Sequence, residues 1–263
     1  MRLPVAIRAV FRLGLLSGIV AWSAAEVLLV SPRDRAAWLQ RVCRRALRAL
    51  GVSACDVGWA PRGAVVVANH LGYLDILVLG ALAPCVFVAK SEVRGWPIFG
   101  WFARRAGTRF VDRERRGDVA RVASEFAPVI AAGANLVLFL EGTSTDGRAV
   151  RPFRSSLLEP AVQAGWPVVP SAVAYAVPAP HSVPNEVCWW GDMTLVPHLL
   201  NLAGLPRITA IVGWGEPDAA TSDRKALAQE MHARVQWLRG AIIACADGSA
   251  EAKPPLRLAP ASA

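Results

Sequence analysis

Short, almost wholly apolar runs alternate with helical stretches along most of the chain. Seven of the runs read as buried strands, because neither face of such a segment carries the polar side chains that water requires. They cover residues 64–68, 85–89, 109–111, 136–140, 168–174, 187–190 and 208–214. Helical patterns lie near residues 73–82, 117–132, 153–164 and 222–243. The alternation predicts an α/β domain over residues 53–245, with a mixed, mostly parallel sheet flanked by helices.

The first 52 residues have a different pattern and predict membrane-associated helices. Residues 13–30 carry one charge, on Glu26, and a helix of this length measures about 27 Å, close to the ~30 Å hydrocarbon core of a bilayer. A carboxylate at depth costs a few kcal/mol, so a spanning helix and a monotopic helix on the surface both fit the segment. A cleaved signal peptide is the third interpretation.

A basic amphipathic helix is predicted to follow, because Ser31 can cap it, Pro32 suits its first turn and Gly51 can end it. Apolar and basic positions separate at helical spacing. The apolar positions are Leu39, Val42, Ala46 and Leu50, and the basic ones are Arg41, Arg44, Arg45 and Arg48. Such a helix can lie on anionic lipid, or it can be the solvated face of an ordinary domain.

The distribution of charge decides between classes of partner. The net charge is +9, and residues 1–50 hold nine Arg against Glu26 and Asp34, which places +7 of it beside the apolar run. This arrangement favours a membrane surface over nucleic acid. The five Cys are scattered without a CxxC pair, which indicates neither zinc nor a disulfide framework and fits a cytoplasm-facing protein. Residues 246–263, rich in Ala, Pro and Ser, predict a disordered tail.

Candidate chemistry lies at the end of the first predicted strand, where residues 64–68 are followed by Asn69-His70-Leu71-Gly72-Tyr73-Leu74-Asp75. Residues five apart on one helix lie about 140° apart around its axis, so His70 and Asp75 can meet only if His70 stands on the turn. Asp75 could then bind one imidazole nitrogen and leave the other as a base. The pattern alone is weak, since His181 and Glu186 share the spacing and a structural histidine is an equally simple interpretation.

Further blocks make the sequence similar to a known family. The segment 69–75 resembles the NHxxxxD motif of the membrane glycerolipid acyltransferases, of the 1-acylglycerol-3-phosphate acyltransferase type. Additional matches follow in the family's order, at residues 87–92, 97–100, 107–113, 139–143 and 167–170. The resemblance covers residues 64–175, and it is the ordered set of blocks that makes a purely structural His70 improbable.

This resemblance implies transfer of an acyl chain from acyl-CoA or acyl carrier protein to the hydroxyl of a lysolipid, without metal or redox cofactor. The first choice of acceptor is 1-acylglycerol-3-phosphate, which gives phosphatidic acid. His70 is expected to act as general base, Asp75 to orient it, and a backbone N–H of the turn 69–72 to stabilise the oxyanion. The expected substrate-binding residues are Asn69, Lys90, Arg113, Glu141, Gly142, Thr143, Ser144, Arg154 and Pro170. No GxSxG motif is present, which favours direct attack over an acyl-enzyme.

One position departs from the family's pattern and leaves the acceptor open. Phosphatidic-acid-forming members usually read EGTR in the third block, where this chain has Ser144. Residues 152–157 and 190–200 resemble the bacterial branch that includes lyso-ornithine lipid acyltransferases, whose acceptor has no phosphate. A membrane-anchored scaffold and a thioesterase-like hydrolase are the alternatives outside the transferases. We expect a location at the bacterial inner membrane, with the site facing the cytoplasm.

An aromatic segment between two of the blocks, residues 93–102, is the candidate contact with lipid near the acyl pocket. It contains Trp96 and Trp101, and Trp is common at membrane interfaces. The alternative is that these aromatic side chains belong to the core.

Overall fold

The strands of the described residues lie in one sheet. A computed structural model describes residues 3–111, 118–219 and 223–246. The strands are β1 (Val52–Val57), β2 (Val65–Ala68), β3 (Cys85–Lys90), β4 (Arg109–Val111), β5 (Asn135–Leu138), β6 (Pro167–Ala176), β7 (Ile208–Trp214) and β8 (Asp218–Ala219). The helices are α1 (Leu3–Glu26), α2 (Arg35–Leu50), α3 (Leu74–Leu82), α4 (Phe99–Arg105), α5 (Asp118–Ala131), α6 (Glu159–Ala164), α7 (Leu195–Gly204) and α8 (Arg224–Ala246).

The sheet is mixed and mostly parallel, which confirms the predicted fold class. Its strand order is β1-β7-β6-β2-β5-β3-β4, and β8 pairs with β6. Only β7 and β8 pair with β6 in the antiparallel sense. The remaining described pairs are parallel, so the carboxyl ends of β6, β2, β5 and β3 meet at one edge of the sheet. In open α/β sheets this edge is where ligands and catalytic groups collect.

Helices cover both faces of the sheet. On one face, Val66 and Ala68 of β2 pack in a core with α2, α3 and α7, to which α1 adds Ala9. On the other, Val65 and Val67 pack with α5 and α8, because successive side chains of a strand point to opposite faces. Every residue of β2 is buried, so the near-continuous apolar pattern reflects a central strand with two covered faces.

Several elements differ from the sequence prediction, among them the short strand β8, which was not predicted. The strand expected at 187–190 is wrong: a π-helical turn over Val183–Val187 leads into an irregular segment. This segment is apolar because it closes over the turn after β2, where the Trp189 N–H donates to the Leu71 carbonyl at 2.8 Å. The edge strand β1 was not predicted, since most of its residues are exposed and lack a buried pattern. The helices α4 and α7 were also missed.

The two amino-terminal helices form as predicted in type, with shifted bounds. Helix α1 is long and apolar enough to cross a membrane, by length and composition. Its Glu26 pairs with Arg45 at 2.8 Å and with Arg41 at 3.3 Å, which offsets the charge of that carboxylate. Helix α2 buries one side in the core and ends where Gly51 takes a left-handed conformation (φ 71°). A domain division at residue 52 stays a prediction, and the tail expected from residue 246 lies beyond Ala246, outside the described residues.

Candidate active site

The turn between β2 and α3 brings His70 and Asp75 together. Helix α3 begins at Leu74, so Asp75 lies in its first turn and points back to the strand end. His70 Nδ1 lies 2.8 Å from Asp75 Oδ2. The carboxylate is fully buried, whereas a fifth of the His70 side chain is exposed. Burial of one partner and partial exposure of the other leave the imidazole accessible from outside.

Asp75 accepts hydrogen bonds from several donors. Its Oδ2 also accepts from the N–H groups of Leu71 (2.6 Å) and Gly72 (3.0 Å). Its Oδ1 accepts from the hydroxyl of Tyr175 at 2.6 Å. A carboxylate held in this way can only accept from His70, so the ring hydrogen sits on Nδ1. Across the described chain no protein group bonds to His70 Nε2, which is therefore available as a base.

Glu141 fixes the turn from the neighbouring strand β5. Its Oε1 accepts from the His70 N–H at 2.7 Å and its Oε2 from the Arg151 N–H at 2.8 Å. Burial raises the pKa of Glu141, and the two N–H donors lower it in part. The His70 ring stacks on Phe139 with centroids 4.0 Å apart. The first contact fixes the backbone of His70 and the second restricts its ring, as expected for a preorganised base.

Three of the four backbone N–H groups of the turn 69–72, which was expected to supply an oxyanion donor, are already engaged. The N–H of His70 donates to Glu141, and those of Leu71 and Gly72 donate to Asp75. For these three groups the expectation was wrong, because orienting the catalytic pair uses the donors that an oxyanion would need.

Four other predicted residues lie with His70. Asn69 is buried and exchanges two hydrogen bonds with the backbone of Val173, at 2.8 and 3.1 Å, which ties β2 to β6. Gly142, Thr143 and Ser144 follow Glu141 in the loop after β5, and Gly142 has a left-handed conformation (φ 80°). The same loop continues to Thr145, whose N–H donates to the His70 carbonyl at 2.9 Å.

Three of the remaining predicted substrate-binding residues, Lys90, Arg154 and Pro170, have no described contact with His70. Lys90 is exposed at the end of β3, two strands from β2. Pro170 is buried in β6 on the α8 side, where its ring packs at Gly215. Arg154 is exposed and lines a cleft beside α8. Arg113 lies outside the described residues.

Three residues that sequence reasoning missed join the site from distant segments. Tyr175 comes from β6 and reaches Asp75. Trp189 covers Gly72 so closely that a Cβ on this glycine would lie 3.0 Å from the Trp189 nitrogen. Arg239 of α8 donates to the Gly147 carbonyl, and burial lowers its pKa. No local motif marks any of them, because their roles arise from strand order and helix packing.

Comparison with known proteins agrees with this geometry. A family model described as Acyltransferase matches residues 44–174. A lyso-ornithine lipid O-acyltransferase of Brucella abortus is 41% identical over 66% of this chain and 70% of its own length. One from Pseudomonas aeruginosa is 35% identical over 89% of this chain and 93% of its own. The chain belongs to the acyltransferase family.

One further relative of this acyltransferase is named for a different acceptor, and one solved structure has the same fold. A 1-acyl-sn-glycerol-3-phosphate acyltransferase of Neisseria gonorrhoeae is 33% identical over 50% of this chain and 56% of its own length. The crystal structure of PlsC, a 1-acyl-sn-glycerophosphate acyltransferase from Thermotoga maritima, superposes with a TM-score of 0.64 over 88% of this chain and 92% of its own. At 18% identity that structure establishes the shared fold. The membrane glycerolipid acyltransferase resemblance and the enzyme class are thereby confirmed.

Proposed function

We propose that this acyltransferase moves an acyl chain from acyl-CoA or acyl carrier protein to the hydroxyl of lyso-ornithine lipid. The single observation that carries the choice of acceptor is the similarity to a lyso-ornithine lipid O-acyltransferase over nearly the whole of both chains. Ser144, in place of a phosphate-binding arginine, points in the same direction. The sequence alone favoured 1-acylglycerol-3-phosphate, which becomes the second candidate and is supported by the Neisseria relative.

The chemistry follows from the free nitrogen of His70. The acceptor hydroxyl gives its proton to His70 Nε2 while its oxygen attacks the thioester carbonyl. Asp75, bonded to Nδ1, stabilises the imidazolium that forms. The tetrahedral intermediate then collapses, the C–S bond breaks, and the imidazolium of His70 gives its proton to the leaving sulfur, which departs as a thiol. The result is one ester and one free thiol, with the base restored and no acyl-enzyme.

Every step is acid–base chemistry, so we propose that the reaction uses neither a metal nor a redox cofactor. Activity should therefore survive extensive treatment with a chelator. The same base could activate water, which is the thioesterase-like alternative, and a scaffold without turnover is the other. Both differ from a transferase in whether thiol release depends on the acceptor.

We also propose that the enzyme lies at the bacterial inner membrane with its site towards the cytoplasm. Exposed apolar side chains crowd α1, including Leu3, Ile7 and Phe11. A groove of about 620 Å³ runs along this helix. In segment 93–102 the large apolar side chains of Trp96, Ile98 and Phe99 are exposed, which suits contact with lipid. The acceptor would then reach His70 without leaving the membrane surface.

The test supplies purified full-length enzyme with a radiolabelled acyl thioester and each lysolipid in turn. We expect labelled ornithine lipid and acceptor-dependent thiol release. Product from 1-acylglycerol-3-phosphate alone would overturn the proposed acceptor, and release that ignores both acceptors would identify a hydrolase. No release at all would indicate a scaffold.

Replacement of His70 by Ala should abolish transfer while vesicle binding is unchanged. The chain supplies a matched control in His181, whose Nδ1 lies 3.1 Å from Glu186 with the same five-residue spacing. His181→Ala should keep activity. Equal loss in both variants would contradict the assignment of the base.

A further inference from the structure

A cationic cleft lies between the segment that follows the Glu141 loop and helix α8. Its volume is about 410 Å³. It is lined by Pro152, Phe153, Arg154, Ser155, Lys225, Ala228, Gln229 and His232. None of these residues is acidic, and Arg154 and Lys225 are basic. Neither charged head has an acidic partner at hydrogen-bond distance within the described parts of the chain. A cavity lined by cationic and polar side chains is suited to an anionic ligand.

Hydrogen bonds donated by backbone N–H groups connect the segment that lines the cleft to the catalytic turn. The Arg154 N–H donates to the Leu140 carbonyl at 2.9 Å, one residue before Glu141. Arg151, three residues before Arg154, donates to the same Glu141 carboxylate that holds the His70 N–H. The segment that lines the cleft and the turn that carries His70 are therefore fixed to the same carboxylate, that of Glu141.

The walls of the cleft combine rigid and apolar surfaces with the charges. His232 Nε2 donates to the Val150 carbonyl at 3.0 Å, and its ring meets Phe153 edge to face at 5.1 Å. These contacts fix one wall. Ala228 and Phe153 supply apolar area for the uncharged part of a ligand, while the hydroxyl of Ser155 adds a donor.

The location of the cleft separates it from the membrane-associated helices. Helix α8 packs on the sheet face that carries Val65 and Val67, whereas α1 and α2 pack on the face that carries Val66. With α1 and α2 at the membrane, α8 and the cleft beside it lie across the sheet from the lipid. A water-soluble anionic substrate, not the lipid acceptor, arrives from that side.

We propose that the cleft binds the phosphate of the phosphopantetheine arm by which the acyl donor carries its thioester. This inference rests on the proposed acyl transfer, because it assigns a site to the donor of that reaction. The arm is common to acyl-CoA and acyl carrier protein, so one site serves both. Arg154 offers a planar pair of donors to the phosphate and Lys225 a compact charge. The pantetheine then lies along the Glu141 segment and delivers its thioester to His70.

The experiment compares wild type with the Arg154→Ala, Lys225→Ala double variant, using three donors with one acyl chain: acyl-CoA, acyl carrier protein and acyl-pantetheine, which has no phosphate. We expect KM for both phosphate-bearing donors to rise about tenfold or more, since charge-assisted hydrogen bonds are lost. The kcat value, KM for the lysolipid and kinetics with acyl-pantetheine should not change. A similar KM rise with acyl-pantetheine, or no rise with either phosphate donor, overturns the proposal. A rise with acyl-CoA alone overturns the shared phosphate as the ligand.

Arg62→Ala is the matched control, because it removes an exposed charge just before β2, at the opposite edge of the sheet. It should leave all three donors unaffected. Calorimetric titration of the full-length protein with free CoA gives a readout that needs no turnover, and the double variant should bind CoA about tenfold more weakly. Equal CoA affinity in wild type and double variant counts against the cleft. Wild type that binds CoA through these residues yet transfers no acyl chain to a lysolipid refutes the proposed function instead. Thermal unfolding of each variant verifies that it is folded.

Discussion

The hydroxyl of Tyr175 donates to Asp75 Oδ1 at 2.6 Å, across 100 positions of sequence. Strand β6 lies directly beside β2, with Ser171 opposite Ala68, so Tyr175 extends past the carboxyl end of β2. Burial, together with the negative charge of Asp75, raises the pKa of Tyr175 well above its ordinary value. The phenol therefore remains a donor throughout the working pH range. Tyr175 acts through Asp75 and is a positioning residue.

We expect Tyr175→Phe to alter the pH profile as well as the rate. The variant leaves a buried carboxylate oxygen without its donor, at a cost of about 1–3 kcal/mol in the free energy of unfolding. Asp75, with one donor fewer, stabilises the protonated imidazole of His70 more strongly. The acid limb of kcat/KM should thus move to higher pH, which a profile with saturating acceptor measures.

Tyr73→Phe is the control for this prediction. The Tyr73 hydroxyl also lies in a largely buried setting, but it bonds to His198 Nδ1 at 2.9 Å and not to Asp75. Its removal should reduce stability without moving the acid limb. The same displacement in both variants would mean that Tyr175 has a structural role only.

Asp75→Asn tests the charge that supports His70. The amide keeps the shape of the side chain, and its oxygen stays at the position of Oδ2, because the N–H groups of Leu71 and Gly72 donate there. The variant therefore removes the negative charge that stabilises the imidazolium of His70. We expect kcat to fall about 100- to 10,000-fold while the protein stays folded, as judged by its unfolding temperature.

Glu186→Gln makes the same chemical change in the other pair with this spacing. The resemblance extends to the next residue, because the Ser182 N–H donates to Glu186 at 2.7 Å as the Leu71 N–H does to Asp75. Full activity is expected in Glu186→Gln. A comparable drop in kcat would show that spacing alone does not distinguish the catalytic pair.

Much of the fold was predictable because a central strand with two covered faces consists almost wholly of apolar residues. The fully apolar run at Val65–Ala68 was recognised for this reason. Edge strand β1 was not, since its exposed residues resemble a loop. The segment 187–190 was wrongly predicted as a strand, because burial against a turn and burial in a sheet require the same apolar residues.

The site shows a similar division between local and distant information. The contact of His70 with Asp75 was predictable from helix geometry. Residues five apart on one helix do not face each other, so the two side chains can meet only if His70 stands on the turn. Tyr175 and Arg239 join through strand order and helix packing, which no single sequence displays. The engagement of the N–H groups of the turn was equally unpredictable, because the sequence does not show that Glu141 and Asp75 accept hydrogen bonds from them.

Glu141→Gln should change how stability depends on pH. Burial holds the pKa of Glu141 above its ordinary value of 4.5. Between pH 4.5 and the raised pKa, the folded protein therefore binds more protons than the unfolded chain. The free energy of unfolding then decreases as pH rises through this range. Wild type should accordingly gain stability relative to the variant as pH is lowered from neutrality towards 4.5. Denaturant unfolding at several pH values measures the difference, and a constant difference would contradict the burial argument.

Ser144→Arg should shift the choice of acceptor. Ser144 is half-buried in the loop that follows Glu141, at the position where phosphatidic-acid-forming relatives usually have arginine. A guanidinium there can bind the acceptor phosphate in a bidentate manner, so kcat/KM for 1-acylglycerol-3-phosphate should rise about tenfold relative to lyso-ornithine lipid. Thr143→Arg adds the same charge one residue away on an exposed side chain and should not change that ratio. If both variants alter the ratio equally, the general field of an added cation, and not its position beside the catalytic loop, selects the acceptor.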